Sequence, residues 1–376
     1  MTIRLLHTAD LHLGANLAGF GELTRERQRD FERTFDRIIN LAIKREVDCL
    51  LIAGDLFDSN GVAGEVVGRV QEGFARLLNR GIAVVLIPGT HDHVVSATSI
   101  YHRCPFPGVH ILMEPEVSEP LHLTLRGMAV SFYGFAYHSA SSSRALTTMA
   151  RRGPDGIHIG LLHGSLRGSP EWDLRHKDVP FTPAELADLR LDYVALGHYH
   201  GFTAIAHGGR TVACYPGSPE GKRFGENGPR HVVLVEVGTG IVSLEKVAVQ
   251  SRELAELVVD ASLFVGQEQL AEELAQLAAA DRIARVRLTG VVEEPLDCAN
   301  LIGRLQGRFA WLEIVDETDL FDSRYVGRIE REDSIRGLFV RKVQERSAHA
   351  GSDAERELCH EALKLVFQRF AGKGKN

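Results

Sequence analysis

Leu5-Leu6-His7-Thr8-Ala9-Asp10-Leu11-His12-Leu13-Gly14 is an apolar stretch that ends in an acid, a histidine and a glycine. Its apolar half predicts a buried β-strand. Side chains alternate along an extended segment, so Asp10 and His12 should emerge on the same side where this strand ends. A carboxylate and an imidazole at this spacing can hold one divalent cation. The sequence therefore predicts half of a metal site at the end of the first strand.

Four further apolar runs end in the same kinds of residue, and each predicts a strand buried on both faces. These runs cover residues 48–53, 82–87, 157–162 and 191–196. The polar residues that follow them are Asp55, Thr90, His91, Asp92, His93, His163, His198 and His200. Amphipathic helices predicted over 23–46 and 66–78 connect the first three strands, which should therefore be parallel with right-handed crossovers. We expect all five strand exits to meet at one edge of one sheet.

The rest of the chain predicts further domains. Short strands continue to about residue 250, so residues 1–250 are predicted to form the first domain. Residues 251–320 alternate strand, helix, strand, helix and strand, which predicts a small α/β domain. Residues 321–376 contain two stretches with apolar residues at helical spacing, which predicts a C-terminal helical region. The stretch 139–153, rich in serine and arginine, is compatible with either a helix or a loop.

The composition is that of an ordinary globular protein, with 376 residues of which 44% are apolar and 25% charged. The net charge of −7 excludes a surface coated in positive charge, so a nucleic-acid partner would have to be bound by a local groove. The five cysteines have no paired spacing, and no apolar stretch approaches the roughly 18 residues of a membrane span. We therefore expect a cytoplasmic protein with reduced cysteines and no signal peptide.

The short motifs DLH, GD, GTHD, HG and GHYH occur in the order and broad spacing of the calcineurin-like metallophosphoesterases, which the first 250 residues resemble. The resemblance implies an α/β (α+β) fold in which two mixed β-sheets face each other and helices flank them. It also implies two divalent metal ions, with manganese favoured. The metal ligands that it implies are Asp10, His12 and His200 for one ion, His163 and His198 for the second, and Asp55 as the bridge.

The same resemblance implies that His91 is the catalytic histidine and that Asp92 orients its ring. One position departs from the family pattern, because Thr90 stands where the family usually has asparagine. The second metal ion thus loses a strongly polar amide ligand. Three explanations stay open: a water fills the gap, Thr90 or His93 supplies a ligand, or the second site is weak. We favour the water, since one lost contact among several need not empty a site.

A more specific resemblance comes from residues 215–226, from the opening HTADLHLG and from the segment FTPAEL before GHYH. These resemble the SbcD/YhaO-type DNA repair exonucleases. That family implies a DNA exonuclease or endonuclease subunit whose nuclease domain is followed by a capping domain. It also implies C-terminal helices that dock an SMC-like coiled-coil ATPase. Basic residues that could contact DNA phosphates are Lys222 and Arg223, together with Arg167, Arg175 and Lys177.

Other functions are compatible with the sequence. The metal motifs fix the chemistry and not the substrate, so a small-molecule or cyclic-nucleotide phosphodiesterase is one alternative. A DNA-end-binding scaffold with weak hydrolysis is another, suggested by Thr90 alone. The C-terminal helices could equally pack on their own domain or mediate a homodimer, because an apolar helical face has to be buried against something.

Overall fold

The computed structural model describes residues 2–138, 142–172, 178–238, 240–290, 292, 294–318 and 323–370. The chain divides into two compact units, Met1–Glu253 and Leu254–Asn376. Within the described residues, every helix is too short or too polar to cross a bilayer.

The first unit is built from twelve described strands and five described α-helices. The strands are β1 (Ile3–Thr8), β2 (Cys49–Ala53), β3 (Ala83–Ile87), β4 (His110–Ile111), β5 (Leu121–Leu125), β6 (Met128–Gly134), β7 (Ile157–His163), β8 (Tyr193–Gly197), β9 (Thr203–His207), β10 (Arg210–Tyr215), β11 (His231–Gly238) and β12 (Ile241–Ala248). The helices are α1 (Thr24–Lys44), α2 (Gly64–Leu78), α3 (Ile100–Arg103), α4 (Ser142–Thr148) and α5 (Pro183–Asp188), and a 3₁₀ segment covers Ala18–Leu23.

The strands form two six-stranded mixed sheets, which confirms the predicted fold class. The first sheet has the order β12-β11-β1-β2-β3-β4, and the second has the order β5-β6-β7-β8-β10-β9. As predicted, β1, β2 and β3 are parallel, whereas β11 joins β1 in the antiparallel sense. Side chains from both sheets, among them Leu51 and Ile159, share one buried core, so the sheets face each other. Every residue of β2 is buried, which explains why its sequence is an unbroken apolar run.

The helices α1 and α2 cover the outer face of the first sheet. Phe35 of α1 contacts Phe74 of α2 with their ring centroids 6.1 Å apart, and both side chains are buried. The apolar positions that predicted these helices are therefore the positions that pack.

The expectation that all five strand exits belong to one sheet is wrong. The strands β1, β2 and β3 lie in the first sheet, but β7 and β8 lie in the second. The two sheets meet at the exits, where His163 Nδ1 lies 2.9 Å from the carbonyl oxygen of Ala53. A strand buried on both faces has the same apolar sequence in either sheet, so the pattern could not assign the strands to sheets.

The second unit is a three-stranded sheet with helices. Its strands are β13 (Glu253–Asp260), β14 (Arg282–Thr289) and β15 (Trp311–Asp316), in that order across the sheet. Its helices are α6 (Gly266–Gln276), α7 (Cys298–Arg304), α8 (Ser323–Glu330), α9 (Ile335–Ala348) and α10 (Asp353–Phe370), and a 3₁₀ turn covers Ala261–Leu263. Val340 of α9 and Leu363 of α10 share a core with Val286 of β14. The helices α9 and α10, which come from the predicted C-terminal helical region, thus contribute to the core of this unit.

Candidate metal centre

The loops at the strand exits have an unusual backbone. The strand β1 ends at Thr8, and Asp10 and His12 both have positive φ, 52° and 47°. Asp55 follows β2 with φ 52°, and His198 follows β8 with φ 106°. Left-handed backbone costs an L residue about 1–2 kcal/mol, and such strain concentrates at functional sites. Asp10 and His12 thus do not converge by strand alternation, as the sequence had suggested, but through a left-handed turn.

Asp10, His12 and His200 form the first group of candidate ligands, which we call site A. All three side chains are buried, and their ligand atoms lie within 4.8 Å of one another. His12 Nε2 and His200 Nε2 face each other at 3.2 Å. Two imidazole nitrogens and a carboxylate oxygen that point at one small space form a donor set suited to a divalent cation.

We call the predicted ligands Asp55, His163 and His198 site B. Asp55 and His163 form a ligand group with Asp10, whereas His198 belongs to none of the ligand groups found among the described residues. His163 Nε2 is buried and lies 3.4 Å from Asp55 Oδ2, yet it makes no hydrogen bond within the described part of the chain. The other ring nitrogen, Nδ1, is held by the Ala53 carbonyl. The rings of His163 and His198 lie 5.2 Å apart. A buried ring nitrogen that faces a carboxylate without a hydrogen bond fits a metal ligand.

Asp55 lies between the two sites. Its Oδ2 atom is 3.9 Å from His12 Nε2 of site A and 3.4 Å from His163 Nε2 of site B. Asp10, Asp55 and His163 also bring their ligand atoms within 4.8 Å of one another. The structure thus brings these predicted ligands together at one edge of the two sheets, with one carboxylate shared.

Burial and neighbouring charges shift the pKa values of residues in this cluster. Burial alone would raise the pKa of Asp55, but the attraction of His163 and His12 outweighs burial and holds it well below its usual value. Burial alone would lower the pKa of His163, but Asp55 and Asp10 outweigh burial and raise it to about 10. Without a cation, the charge of Asp55 is thus compensated mainly by His163, whereas burial lowers the pKa of His12. A divalent cation would supply the same compensation, and it would release the proton of His163.

Two glycines make the close approach of the loops possible. A Cβ atom at Gly54, which has φ 93°, would collide with His163 Nδ1. A Cβ atom at Gly89 would collide with the Asp55 carboxylate. Each glycine therefore leaves the space that a candidate ligand occupies.

His91 lies at the rim of the cluster, with 44% of its side chain exposed. Its backbone N–H donates to Asp55 Oδ1 at 2.8 Å, and its ring Nδ1 lies 3.0 Å from the carbonyl oxygen of Asp58. The Asp58 carboxylate is 3.7 Å from the same ring nitrogen. The ring is thus oriented by Asp58 and leaves Nε2 for other contacts.

Asp92 does not orient His91, which corrects the prediction. Its buried carboxylate accepts hydrogen bonds from Gly89 N at 2.7 Å, from Tyr101 Oη at 2.6 Å and from Phe57 N at 3.2 Å. Burial and the nearby Asp55 raise the pKa of Asp92. Neighbouring residues in a tight turn point in different directions, so adjacency in sequence was a poor guide. Asp92 instead ties the turn after β3 to the loop after β2.

Thr90 and His93 stand in different surroundings. The Thr90 hydroxyl lies 3.4 Å from Asp55 Oδ2, so it faces the shared carboxylate. His93 Nδ1 is buried and makes no hydrogen bond within the described residues, but His93 belongs to none of the ligand groups found among them. Of the two side chains, Thr90 is thus the one that faces the cluster.

Three carboxylates near the centre were not predicted as site residues. Asp58 Oδ1 lies 3.1 Å from His12 Nδ1, and Glu226 Oε1 lies 2.8 Å from His200 Nδ1. Glu171 accepts from the backbone N–H groups of Gly201 and His200. Despite their burial, hydrogen bonds to these histidines help to lower the pKa of Asp58 and of Glu226 to about 2. For Asp58 and Glu226 the signal in the sequence was closeness to a motif, since Asp58 lies three residues after Asp55 of the GD motif and Glu226 ends the segment of residues 215–226.

The basic residues predicted to contact DNA occupy different places. The Lys222 ammonium pairs with Asp58 and lies 3.4 Å from His12 Nδ1, so it points into the centre. Arg223 is exposed, with its Nε atom 3.4 Å from Glu226 Oε1. The Arg167 guanidinium lies over the Trp172 ring. Arg175 and Lys177 lie outside the described residues.

A cavity of about 630 Å³ lies beside site A. His200 and Glu226 form part of its wall, and Phe202 and Phe224 add aromatic surface. Arg223 contributes a positive charge. The cavity is larger than one metal centre requires, so it offers room for part of a substrate.

Comparison with known proteins identifies relatives. The sequence profile of the family described as "Calcineurin-like phosphoesterase" matches residues 3–202. The uncharacterized metallophosphoesterase YhaO of Bacillus subtilis is 32% identical over 65% of this chain. The DNA double-strand break repair protein Mre11 of Methanopyrus kandleri is 30% identical over 76% of this chain. A subunit of the nuclease SbcCD of Bacillus subtilis is 25% identical over 63% of it. The chain spans 59% of YhaO, 64% of that Mre11 and 67% of the SbcCD protein.

Proposed function

Because this chain belongs to the calcineurin-like phosphoesterase family, we propose that it hydrolyses phosphodiester bonds of DNA with two divalent metal ions, manganese being favoured. The observation that carries this proposal is the convergence of Asp10, Asp55, His12, His163 and His200 at one edge of two facing sheets. Mixed imidazole and carboxylate donors favour manganese, iron or zinc over an all-oxygen magnesium site.

In this proposal the two sites hold one ion each. Site A (Asp10, His12 and His200) would hold the first ion, and His163 and His198 of site B would hold the second. Asp55, which lies between the two sites, would be shared by both ions, because one carboxylate has two oxygens. When bound, two divalent cations would activate a water and neutralise charge for an in-line displacement at phosphorus.

The chain's own residues complete the chemistry. The Asp58 carbonyl accepts from His91 Nδ1, so Nε2 is the ring atom that can hold a proton for the leaving oxygen. The partial exposure of His91 leaves this atom accessible to a substrate. Asp58 contacts both His12 and His91, so a single carboxylate couples the orientation of a ligand to that of the proton donor. The Thr90 hydroxyl lies near Asp55, so a water would be needed to complete the donor set of the second site.

DNA as the substrate is supported by the relatives and by one segment of the chain. Two relatives are named for double-strand break repair and for a nuclease. Residues 215–226, which resemble the DNA repair exonucleases, supply Lys222 and Glu226 to the centre in this structure. The exposed Arg223 lines the neighbouring cavity, where it can contact a phosphate. A DNA-end-binding scaffold with weak hydrolysis is the second candidate, favoured only by Thr90.

One assay separates the candidate functions. The purified protein with Mn²⁺ is offered linear DNA, bis-p-nitrophenyl phosphate and a cyclic nucleotide in parallel, with Asp55→Asn as the inactive control. Degradation of DNA that weakens steeply with salt supports a DNA phosphodiesterase. Turnover of the small esters alone identifies a small-molecule or cyclic-nucleotide phosphodiesterase. DNA binding without turnover identifies the scaffold.

For a partner, we propose an SMC-like coiled-coil ATPase that binds the C-terminal helices. The support is that α9 and α10 expose apolar side chains although both helices contribute to the core of their unit. The exposed residues are Ile335, Leu338, Leu358 and Leu365. The alternative is that the same side chains form the interface of a homodimer.

Substitution tests this partner better than truncation, since truncation would remove buried Val340. Leu338→Asp combined with Leu358→Asp should abolish co-purification with the ATPase and leave hydrolysis of bis-p-nitrophenyl phosphate unchanged. Leu263→Asp, at another exposed apolar position of the same unit, is the matched control. Undiminished co-purification of the double variant contradicts the proposal, and conversion of a dimer to a monomer identifies the alternative.

A further inference from the structure

A second buried ionic cluster lies away from the ligand groups, around Arg27 of α1 and Glu220. Arg27, Asp30 and Glu220 are all at most 1% exposed. The Arg27 guanidinium donates to Asp30 Oδ2 at 2.6 Å and lies 2.9 Å from Glu220 Oε1. Buried charges are costly to a fold even when they pair, and among the described residues this cluster contacts none of the candidate ligands, so we looked for another role.

Glu220 begins the segment of residues 220–226, which we call the 220–226 loop. Arg27 holds the start of this loop by a second hydrogen bond, from Nη2 to the Gly221 carbonyl at 2.8 Å. Further along, Lys222 N donates to Glu226 Oε2 at 2.8 Å, which closes the loop on itself. The same two residues reach the candidate centre, where Lys222 lies beside His12 and Glu226 accepts from His200. The loop is thus fixed to α1 at one end and to two candidate ligands at the other.

The Glu220 carboxylate also holds the segment that leads out of the first unit. Ser251 N donates to its Oε2 atom at 2.7 Å, and Arg252 N donates to Oε1 at 3.4 Å. Thr34 of α1 adds a hydrogen bond from its hydroxyl to Oε2 at 2.7 Å. The first unit ends one residue later, at Glu253. One buried carboxylate therefore anchors both the 220–226 loop and the chain that connects the two units.

We propose that Glu220, held by Arg27, is a positioning residue that couples the connecting segment to the metal centre. It fixes the 220–226 loop, and the loop orients the imidazoles of His12 and His200 through Lys222 and Glu226. A displacement of residues 251–252 therefore reaches both imidazoles through a single side chain. The inference rests on the proposed function in one respect, the assignment of His12 and His200 as ligands.

Glu220→Gln tests this inference because it keeps the shape of the side chain and removes its charge. In metal-free protein, backbone hydrogen exchange of residues 220–226 should become at least about fivefold faster while the strands of the two sheets keep their protection. Calorimetric titration with Mn²⁺ should show site A weakened by about tenfold, the size of effect expected when the support of a ligand is lost. Unchanged exchange in the loop, or equally faster exchange throughout the unit, overturns the inference.

Two further variants distinguish loss of this coupling from a general loss of stability. Asp192→Asn removes a carboxylate that pairs with Arg151 and accepts from His158 N, remote in sequence from the loop. It should lower the melting temperature without changing exchange in the 220–226 loop or Mn²⁺ affinity. Thr34→Val removes one hydrogen bond to Glu220 with little change of shape, and should reproduce the Glu220→Gln effects more weakly if that variant folds poorly. A wild-type protein that binds no Mn²⁺ refutes the proposed function, whereas the exchange experiment on metal-free protein still tests the coupling.

Discussion

Sites A and B differ in what supports their imidazoles. In site A, the outer ring nitrogens of His12 and His200 each face a carboxylate, from Asp58 and Glu226. In site B, the outer nitrogen of His163 faces the neutral Ala53 carbonyl, and the neighbouring Thr90 offers only a hydroxyl. Carboxylates behind a ligand fix its orientation and raise its basicity. From this difference we expect site A to bind a divalent cation more tightly than site B.

Asp55 belongs to both sites, so its loss should have the largest effect. Asp55→Asn removes the shared negative charge, and hydrolysis of bis-p-nitrophenyl phosphate should fall by on the order of 10³-fold, the upper range for loss of one electrostatic group. Metal analysis should show that both ions are weakened together. An Asp55→Asn protein that loses only one ion would mean that the two sites do not share this carboxylate.

His91 lies outside both sites, so its substitution should leave the metal content unchanged. His91→Gln removes the proton donor, and kcat should fall by about 10²- to 10⁴-fold while two ions stay bound. His93→Gln is the matched control, because His93 is the neighbouring histidine outside the ligand groups of the described residues. Loss of an ion in the His93 variant would identify His93 as the replacement ligand of site B.

Of the two sites, Asp58 contacts a ligand of site A, His12, so its substitution should reduce the difference in affinity between site A and site B. In the Asp58→Asn protein the side chain keeps its shape, but the amide accepts a weaker hydrogen bond from His12 than the carboxylate does. The affinity of site A for Mn²⁺ should therefore fall by about 10- to 100-fold. Calorimetric titration of metal-free protein with Mn²⁺ measures both steps. If the substitution changes the affinity of the weaker binding step instead, the assignment of Asp58 to site A is wrong.

Substitution of Thr90 should have the smallest of these effects, and it should act on site B. Thr90→Asn restores an amide oxygen beside Asp55, and the affinity of the second ion should rise several-fold, up to about tenfold, as for other residues that support a metal site. Site A should be unaffected. Equal affinities in the Thr90→Asn and wild-type proteins would show that the missing asparagine does not explain the difference between the sites.

Much of this centre could be predicted because its residues follow apolar strands directly. Asp10, Asp55 and His198 each lie one or two residues beyond a strand that the apolar pattern identifies, and His163 is the last residue of such a strand. The assignment of these strands to two sheets could not be predicted, because burial on both faces gives the same pattern in each sheet.

The supporting carboxylates escaped prediction for a different reason. Asp58 and Glu226 act through contacts between distant segments, and Glu226 meets His200 only because residues 215–226 fold back on the centre. Asp92 shows the converse error, since its neighbour in sequence is not its neighbour in space. The end of a strand can be recognised from local sequence, whereas the residues that support a ligand come together only in the tertiary structure.

The most direct test of the two-site centre is a calorimetric titration of the metal-free wild-type protein with Mn²⁺. The arrangement of Asp10, Asp55, His12, His163 and His200 predicts two ions per chain, bound in two steps of which the first is clearly tighter. Binding of a single ion, or of none, would contradict it.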